Sequence, residues 1–154
     1  MLELLQYNSS MQSSIDAFFS SCFAALGWDY HPTDVAAIEE AYMRRGMFWC
    51  LFDDGTLVGT VALRSLDERN EAVEMKRLYV LPEYQCKGYG ELLFQTALDW
   101  AKASGYQVIR LDTRLDRSAS RHLIEKHRFR QIGQYNHNAF AELFYELSLN
   151  EKGV

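Results

Sequence analysis

The segment Gln85-Cys86-Lys87-Gly88-Tyr89-Gly90 sets two glycines and a lysine between the apolar run LYVLPEY and the amphipathic stretch ELLFQTALDWAKASG. A helix starting there would offer unpaired N–H groups and the positive end of its dipole, a ready site for phosphate. Gly88 and Gly90 would clear side chains from the anion's approach to the backbone, and Lys87 would add charge. An ordinary tight connection is the alternative, and a G-x-G alone does not separate the two. Spacing excludes two nucleotide-binding patterns. No GKS or GKT is present, and Leu93 stands where a dinucleotide fingerprint needs its third glycine.

The strand that feeds this loop carries a second signal. In EAVEMKRLYV the apolar residues fall at 73 and 75, then at 78 and 80, so the alternation changes parity between Met75 and Leu78. A β-bulge there would re-aim the strand and leave backbone donors and acceptors for a ligand. Burial of both faces would explain the pattern without one.

Composition bounds the rest. A chain of 154 residues with 48% hydrophobic and 24% charged residues fits one soluble globular domain spanning 1–154. No apolar run approaches the ~18 residues of a membrane helix, and MLELLQYNSS is no secretory signal. Cys22, Cys50 and Cys86 form no CxxC pair, which suits a reduced, cytoplasmic setting. His122 and His127 miss the i, i+4 spacing of a helical metal pair, so no metal is expected. Residues 1–60 hold eight acids and two bases, whereas residues 110–130 hold seven bases and three acids. One basic block in an acidic chain points to a discrete anionic ligand rather than a nucleic-acid surface, or to a solvated helix face.

Periodicity orders the elements. LELLQY reads as a strand, residues 11–26 as a helix closed by Gly27, and HPTDVAAIEEAYMRRG as a second helix capped at Thr33 or Asp34. MFWCLFDD and TLVGTVALRSL pair across Asp54-Gly55. A strand at 72–80, a helix at about 88–104, the strand QVIRLDT, a helix from Asp116 or Ser118 to His127, and the strands RQIGQY and FAELFYELSL complete an α/β domain with a mixed sheet.

These features together resemble the GNAT superfamily of N-acetyltransferases. Val80-x4-Gln85-x2-Gly88-x-Gly90 is similar to its Q/R-x-x-G-x-G/A loop for acetyl-CoA, and the likeness runs over about residues 72–130 to LIEKHRF. The resemblance implies a mostly antiparallel seven-stranded sheet flanked by four helices, with a bulged strand before the pyrophosphate loop. It implies that the backbone of Leu78, Tyr79 and Val80 holds the pantetheine arm. It also implies that Gln85, Cys86, Lys87, Gly88, Tyr89, Gly90 and Glu91 wrap the pyrophosphate. Direct acetyl transfer to a primary amine follows, with a base or water removing the amine proton.

Glu74 lies eleven residues before Gln85, as the catalytic glutamate of histone-acetylating members does. In an apolar cleft its pKa would be raised toward neutrality. Alternatively it lies at the surface or pairs with Arg64 or Lys76. The oxyanion would fall to a backbone N–H near the bulge, that of Leu78. Ile124 replaces the tyrosine that commonly protonates the leaving thiolate, and Arg128 a glycine, so the general acid is unassigned. Ser118, Ser120 and Lys126 are candidate contacts to CoA, or else caps and solvent-facing groups. Trp28, Tyr30, His31, Tyr135, His137 and Phe140 are candidate acceptor residues, and the acid-rich N-terminal third favours a cationic acceptor. A non-catalytic acetyl-CoA sensor on the same fold is the rival reading, and a homodimer stays open.

Overall fold

The computed structural model describes residues 1–67, 69 and 71–149. Within them the strands are β1 (Leu2–Gln6), β2 (Met47–Asp53), β3 (Thr56–Ser65), β4 (Ala72–Val80), β5 (Val108–Thr113), β6 (Arg130–Ile132) and β7 (Leu143–Ser148). They form one sheet in the order β1-β2-β3-β4-β5-β7-β6. Every neighbouring pair is antiparallel except β4–β5. The helices are α1 (Gln12–Ala25), α2 (Ile38–Tyr42), α3 (Tyr89–Ala103) and α4 (Ser118–Lys126). None is long and apolar enough to cross a membrane.

Alternation along the inner strands builds two cores, one on each face of the sheet. Phe48 and Cys50 of β2 point into a core with Ile15, Phe19 and Phe23 of α1. Trp49 and Leu51 point the other way, into a core with Leu93, Phe94 and Ala97 of α3. Helices on both faces explain why the central strands read as near-continuous apolar runs.

The helix expected over 31–46 is broken. A single 3₁₀ turn at Asp34–Ala36 precedes the five-residue α2, because Ala37 between them adopts φ −138°, ψ 51°. The Asp34 carboxylate, expected as a cap, instead binds Arg77 and the Tyr42 hydroxyl. The last two strands are also shorter than their sequence patterns, with residues 133–142 forming an irregular segment between them.

Two features of the sheet position the site. The parallel ladder between β4 and β5 covers only Ala72–Glu74 against Val108–Arg110. On the other side of β4, the register against β3 shifts between Thr60 and Ala62, which pair with Tyr79 and Lys76. Arg77, within the shift, has φ 58°, a left-handed conformation uncommon for a residue with a side chain.

Candidate active site

Beyond Glu74 the two central strands part, and a cleft of about 390 Å³ opens between them. Met75, Phe94, Leu111 and Ile124 lie deep in it, all nearly inaccessible to solvent. Its walls are Lys76 to Tyr79 on β4, Asp112 to Arg114 from β5 onward, and Arg117 and Ser120 at the start of α4. Trp28, Tyr30, Asn138 and Phe140 stand around its mouth.

The β4 backbone presents polar groups to this cleft. Leu81 donates its N–H to Val58 O on the β3 side. Alternate residues of a strand turn their N–H and C=O groups to opposite sides, so Val80 and Leu78 turn theirs away from β3. The side chain of Arg117 reaches Leu78 O at 3.4 Å, which agrees with that direction.

Arg77 is gripped beneath the shift. Its guanidinium donates to both carboxylate oxygens of Asp34 at 2.8 Å and to Tyr30 Oη at 3.3 Å. Thr60 Oγ1 donates to Arg77 O at 2.7 Å. The fork fits a carboxylate on two sides at once, and it ties the Asp34 turn to the strand at the site.

The loop after β4 makes a 3₁₀ turn at Pro82–Tyr84 and then enters α3 through Cys86 (φ 62°) and Gly88 (φ 84°), the N-cap. A Cβ on Gly88 would meet nothing within 4 Å, so the left-handed cap faces open space in front of the first N–H groups of the helix. Lys87 Nζ stands 5.2 Å from the Tyr84 ring centre. Room, free helix N–H groups and a nearby ammonium suit a pyrophosphate.

Other predicted residues are engaged within the protein. Gln85 Nε2 donates to Val80 O at 3.1 Å, and Tyr89 Oη to Asp53 at 2.9 Å. Glu91 meets His127 Nε2 at 2.8 Å and Lys126 Nζ at 3.3 Å, so Lys126 has a carboxylate partner. Ser118 and Ser120 lie in the first turn of α4. Of the predicted cofactor and catalytic residues, Leu78, Tyr79 and Ser120 line the cleft and the loop 85–91 does not; of the predicted acceptor residues, Trp28, Tyr30 and Phe140 line it.

Glu74 pairs with Arg64 and Lys76, as the alternative expectation had it, and does not sit in an apolar cleft. Its side chain is wholly buried and saturated with donors: Arg64 Nε and Nη2 at 2.9 Å, Tyr135 Oη at 2.5 Å, and Asn136 Nδ2 at 2.9 Å. Lys76 Nζ lies 3.7 Å away. Burial alone would raise its pKa, but Lys76, the Tyr135 hydroxyl, Arg64 and Asn136 outweigh that and lower it. The raised pKa expected from an apolar cleft is therefore corrected. A carboxylate held below its usual range carries stability above the unfolded pKa and loses it as pH falls through the folded one. Glu74→Gln should accordingly lower stability by ~1–3 kcal/mol at neutral pH, since its amide faces donors, and should flatten the acid limb of a Tm–pH curve. Parallel acid limbs in both proteins would contradict the assignment.

Among the acids of the N-terminal third, Asp29 lines the cleft, while several others are engaged or exposed elsewhere. Asp34 is neutralised by Arg77, Asp53 binds Tyr89, Asp54 binds the N-terminus, and Glu39 and Glu40 are exposed on α2. Lys76, Arg77, Arg114 and Arg117 all line the cleft. The Arg117 guanidinium lies 4.8 Å from the Tyr79 ring centre and 5.9 Å from that of Trp28. Among the described residues it has no carboxylate within 4 Å. Asp112, Asn136 and Asn138, absent from the sequence-derived site, also meet here. Only the repeated asparagines of Asn136-His137-Asn138 hinted at a polar loop.

Residues 11–129 match the acetyltransferase (GNAT) family. The chain belongs to that family. Among its relatives, N-acetylaspartate synthetase of Homo sapiens is 35% identical over 122 residues, 78% of this chain and 39% of that protein. The Xenopus tropicalis protein of the same name is 32% identical over 117 residues, 75% of this chain and 43% of that one. The chain thus spans about two fifths of the length of these curated relatives. A GNAT acetyltransferase of Staphylococcus aureus Mu50 superposes with a TM-score of 0.87 at 20% identity, covering 97% of this chain and 99% of that one. The Salmonella typhimurium protein yncA, solved with its cofactor acetyl-CoA, superposes at 0.77 with 22% identity, covering 99% and 96%. These structures share the GNAT fold with this chain.

Proposed function

We propose that this GNAT protein transfers the acetyl group of acetyl-CoA to the primary amine of a small anionic acceptor, such as an acidic amino acid. The observation that carries the reading is the parted β4–β5 pair with Leu78 lining the cleft, followed along the chain by the glycine-capped start of α3. The backbone of Leu78, Tyr79 and Val80 and the loop Gln85–Glu91 would hold acetyl-CoA, with Ser118 and Ser120 at the start of α4. When bound, it supplies an acyl thioester to an attacking amine.

The chain's own residues set the conditions for attack. The Leu78 N–H, facing the cleft, is the donor for negative charge that develops on a carbonyl oxygen. Glu74, ionised and saturated, acts as a positioning residue that fixes Lys76, Tyr135 and Asn136. Water in the cleft would take the proton from the acceptor's ammonium, and the C–S bond would break as the C–N bond forms. Ile124 supplies only hydrocarbon, so the sulfur leaves as thiolate with no donor from that position, which a thiol pKa near ~8.5 permits. The exposed free thiol of Cys86 fits a reducing compartment, and a cytoplasmic location is part of the same reading.

Arg117, which lines the cleft and has no carboxylate within 4 Å among the described residues, favours an acceptor that carries a carboxylate. The name of the N-acetylaspartate synthetase relatives suggests the same class. Thiol release from acetyl-CoA should be at least ~10-fold faster with L-aspartate than with spermidine at equal concentration. The reverse order would overturn the anionic-acceptor assignment. Acetyl-CoA binding without thiol release for any amine would favour the sensor reading, which Ile124 at the cleft floor keeps in view.

A further inference from the structure

We infer that Asp112 is the residue that receives the acceptor's ammonium group, an assignment that rests on the acetyl-transfer reading above. Asp112 lies on β5 where that strand has parted from β4, and it lines the cleft that Leu78 also lines. Its carboxylate is held by two neutral donors. Asn136 Nδ2 reaches Oδ2 at 2.7 Å, and Asn138 Nδ2 lies 3.3 Å from both oxygens. Among the described residues no Lys, Arg or His nitrogen comes within 4 Å of it.

The neighbouring carboxylates are different. Glu74 has Arg64 and Lys76, and Asp34 has Arg77. Asp29, on the cleft wall, is exposed and bonded to His31. Asp112 alone combines a half-buried place in the cleft with a formal charge that the described residues do not balance.

The two asparagines make this a built position. Asn136 Oδ1 accepts from the Asn138 N–H at 3.1 Å, and Asn138 Oδ1 from the Phe140 N–H at 3.1 Å. These bonds orient both carboxamides, so their N–H groups must point at the carboxylates. The Asn136 amide splits its two hydrogens between Asp112 and Glu74. Neutral amides fix the Asp112 oxygens in place without cancelling their charge. A carboxylate withdrawn from water in this way is completed by a cation with several donors, and a primary ammonium has three. With Arg117 on the other wall, the cleft has opposite charges for the two ends of a zwitterion.

The test compares wild type with Asp112→Asn and Asp112→Glu, using L-aspartate and n-butylamine, the second an ammonium without a carboxylate. Thiol release gives KM and kcat. Calorimetric titration of each amine in the presence of CoA gives affinity without turnover, and the CoA-induced melting shift reports an intact fold. Asp112→Asn should raise KM for both amines by ~10–100-fold, as expected for a lost charge-assisted hydrogen bond, and weaken calorimetric affinity by the same factor. The kcat should change by only a few-fold and the CoA shift not at all. Asp112→Glu should recover part of the affinity, which a purely structural role would not predict. Equal KM and affinity in wild type and Asp112→Asn, with a normal CoA shift, would overturn the assignment alone. Amine binding that depends on Asp112 without any thiol release would uphold the ammonium site and sink the transfer reading. No binding and no release in wild type would sink both.

Discussion

Gly88→Glu abolishes the stabilisation that acetyl-CoA confers. At ligand concentrations ~100-fold above Kd the wild-type protein should gain ~2.7 kcal/mol, a rise in Tm of ~5–10 °C. Gly88 has φ 84° and caps α3, and a Cβ built on it enters open space. The variant should therefore fold, at a cost of ~1–2 kcal/mol for a side chain in the left-handed region. Its carboxylate would stand before the helix N–H groups, where the phosphate charge belongs, and affinity should fall by ~10² or more. Gly88→Ala carries the same backbone strain without the charge and should keep most of the shift. Equal shifts for wild type and Gly88→Glu would remove the loop from the cofactor site.

Arg77→Ala should be the most destabilising single change near the site. The guanidinium and the Asp34 carboxylate are both largely withdrawn from solvent, with side-chain exposures of 9% and 19%. Removing one partner of such a pair leaves the other charge buried and costs ~3–5 kcal/mol, a drop in Tm of ~10 °C or more. Burial would raise the Asp34 pKa, yet Arg77 and Tyr42 outweigh it and hold it lowered. Stability from a lowered pKa is present above the unfolded value and is lost as pH falls through the folded one. The gap between wild type and variant should therefore be widest near neutrality and narrow in acid, once Asp34 is protonated. Turnover should fall too, since the pair holds the left-handed turn next to Leu78. A gap independent of pH would show that Asp34 is not the group Arg77 serves.

Local signals were legible where the chemistry is local. Gly88 and Gly90 after an apolar run marked the entry to α3, and Asp54-Gly55 marked the β2–β3 turn, where both residues have positive φ. Strand β4 fell at residues 72–80, because its flanks are polar on one side and proline-bounded on the other. The break in the helix over 31–46 was not legible. Asp34 looks like a cap in sequence, and the partner that draws it away, Arg77, is 43 residues distant.

For Glu74, pairing with Lys76 and Arg64 was open from the sequence, but Tyr135 and Asn136, which also lower its pKa, lie 61 and 62 residues away and could not be read there. A count of acids along the chain could not show which charges share the cleft, where Lys76, Arg77, Arg114 and Arg117 stand with Asp29 and Asp112.

By itself, then, the sequence determined the element order, the glycine-capped start of α3 and the family, since each depends on residues within a few positions of one another. The tertiary structure decided which charges face the cleft and which are neutralised. Those properties depend on side chains that meet only after the sheet has formed, and on how far burial strengthens or cancels each pairing.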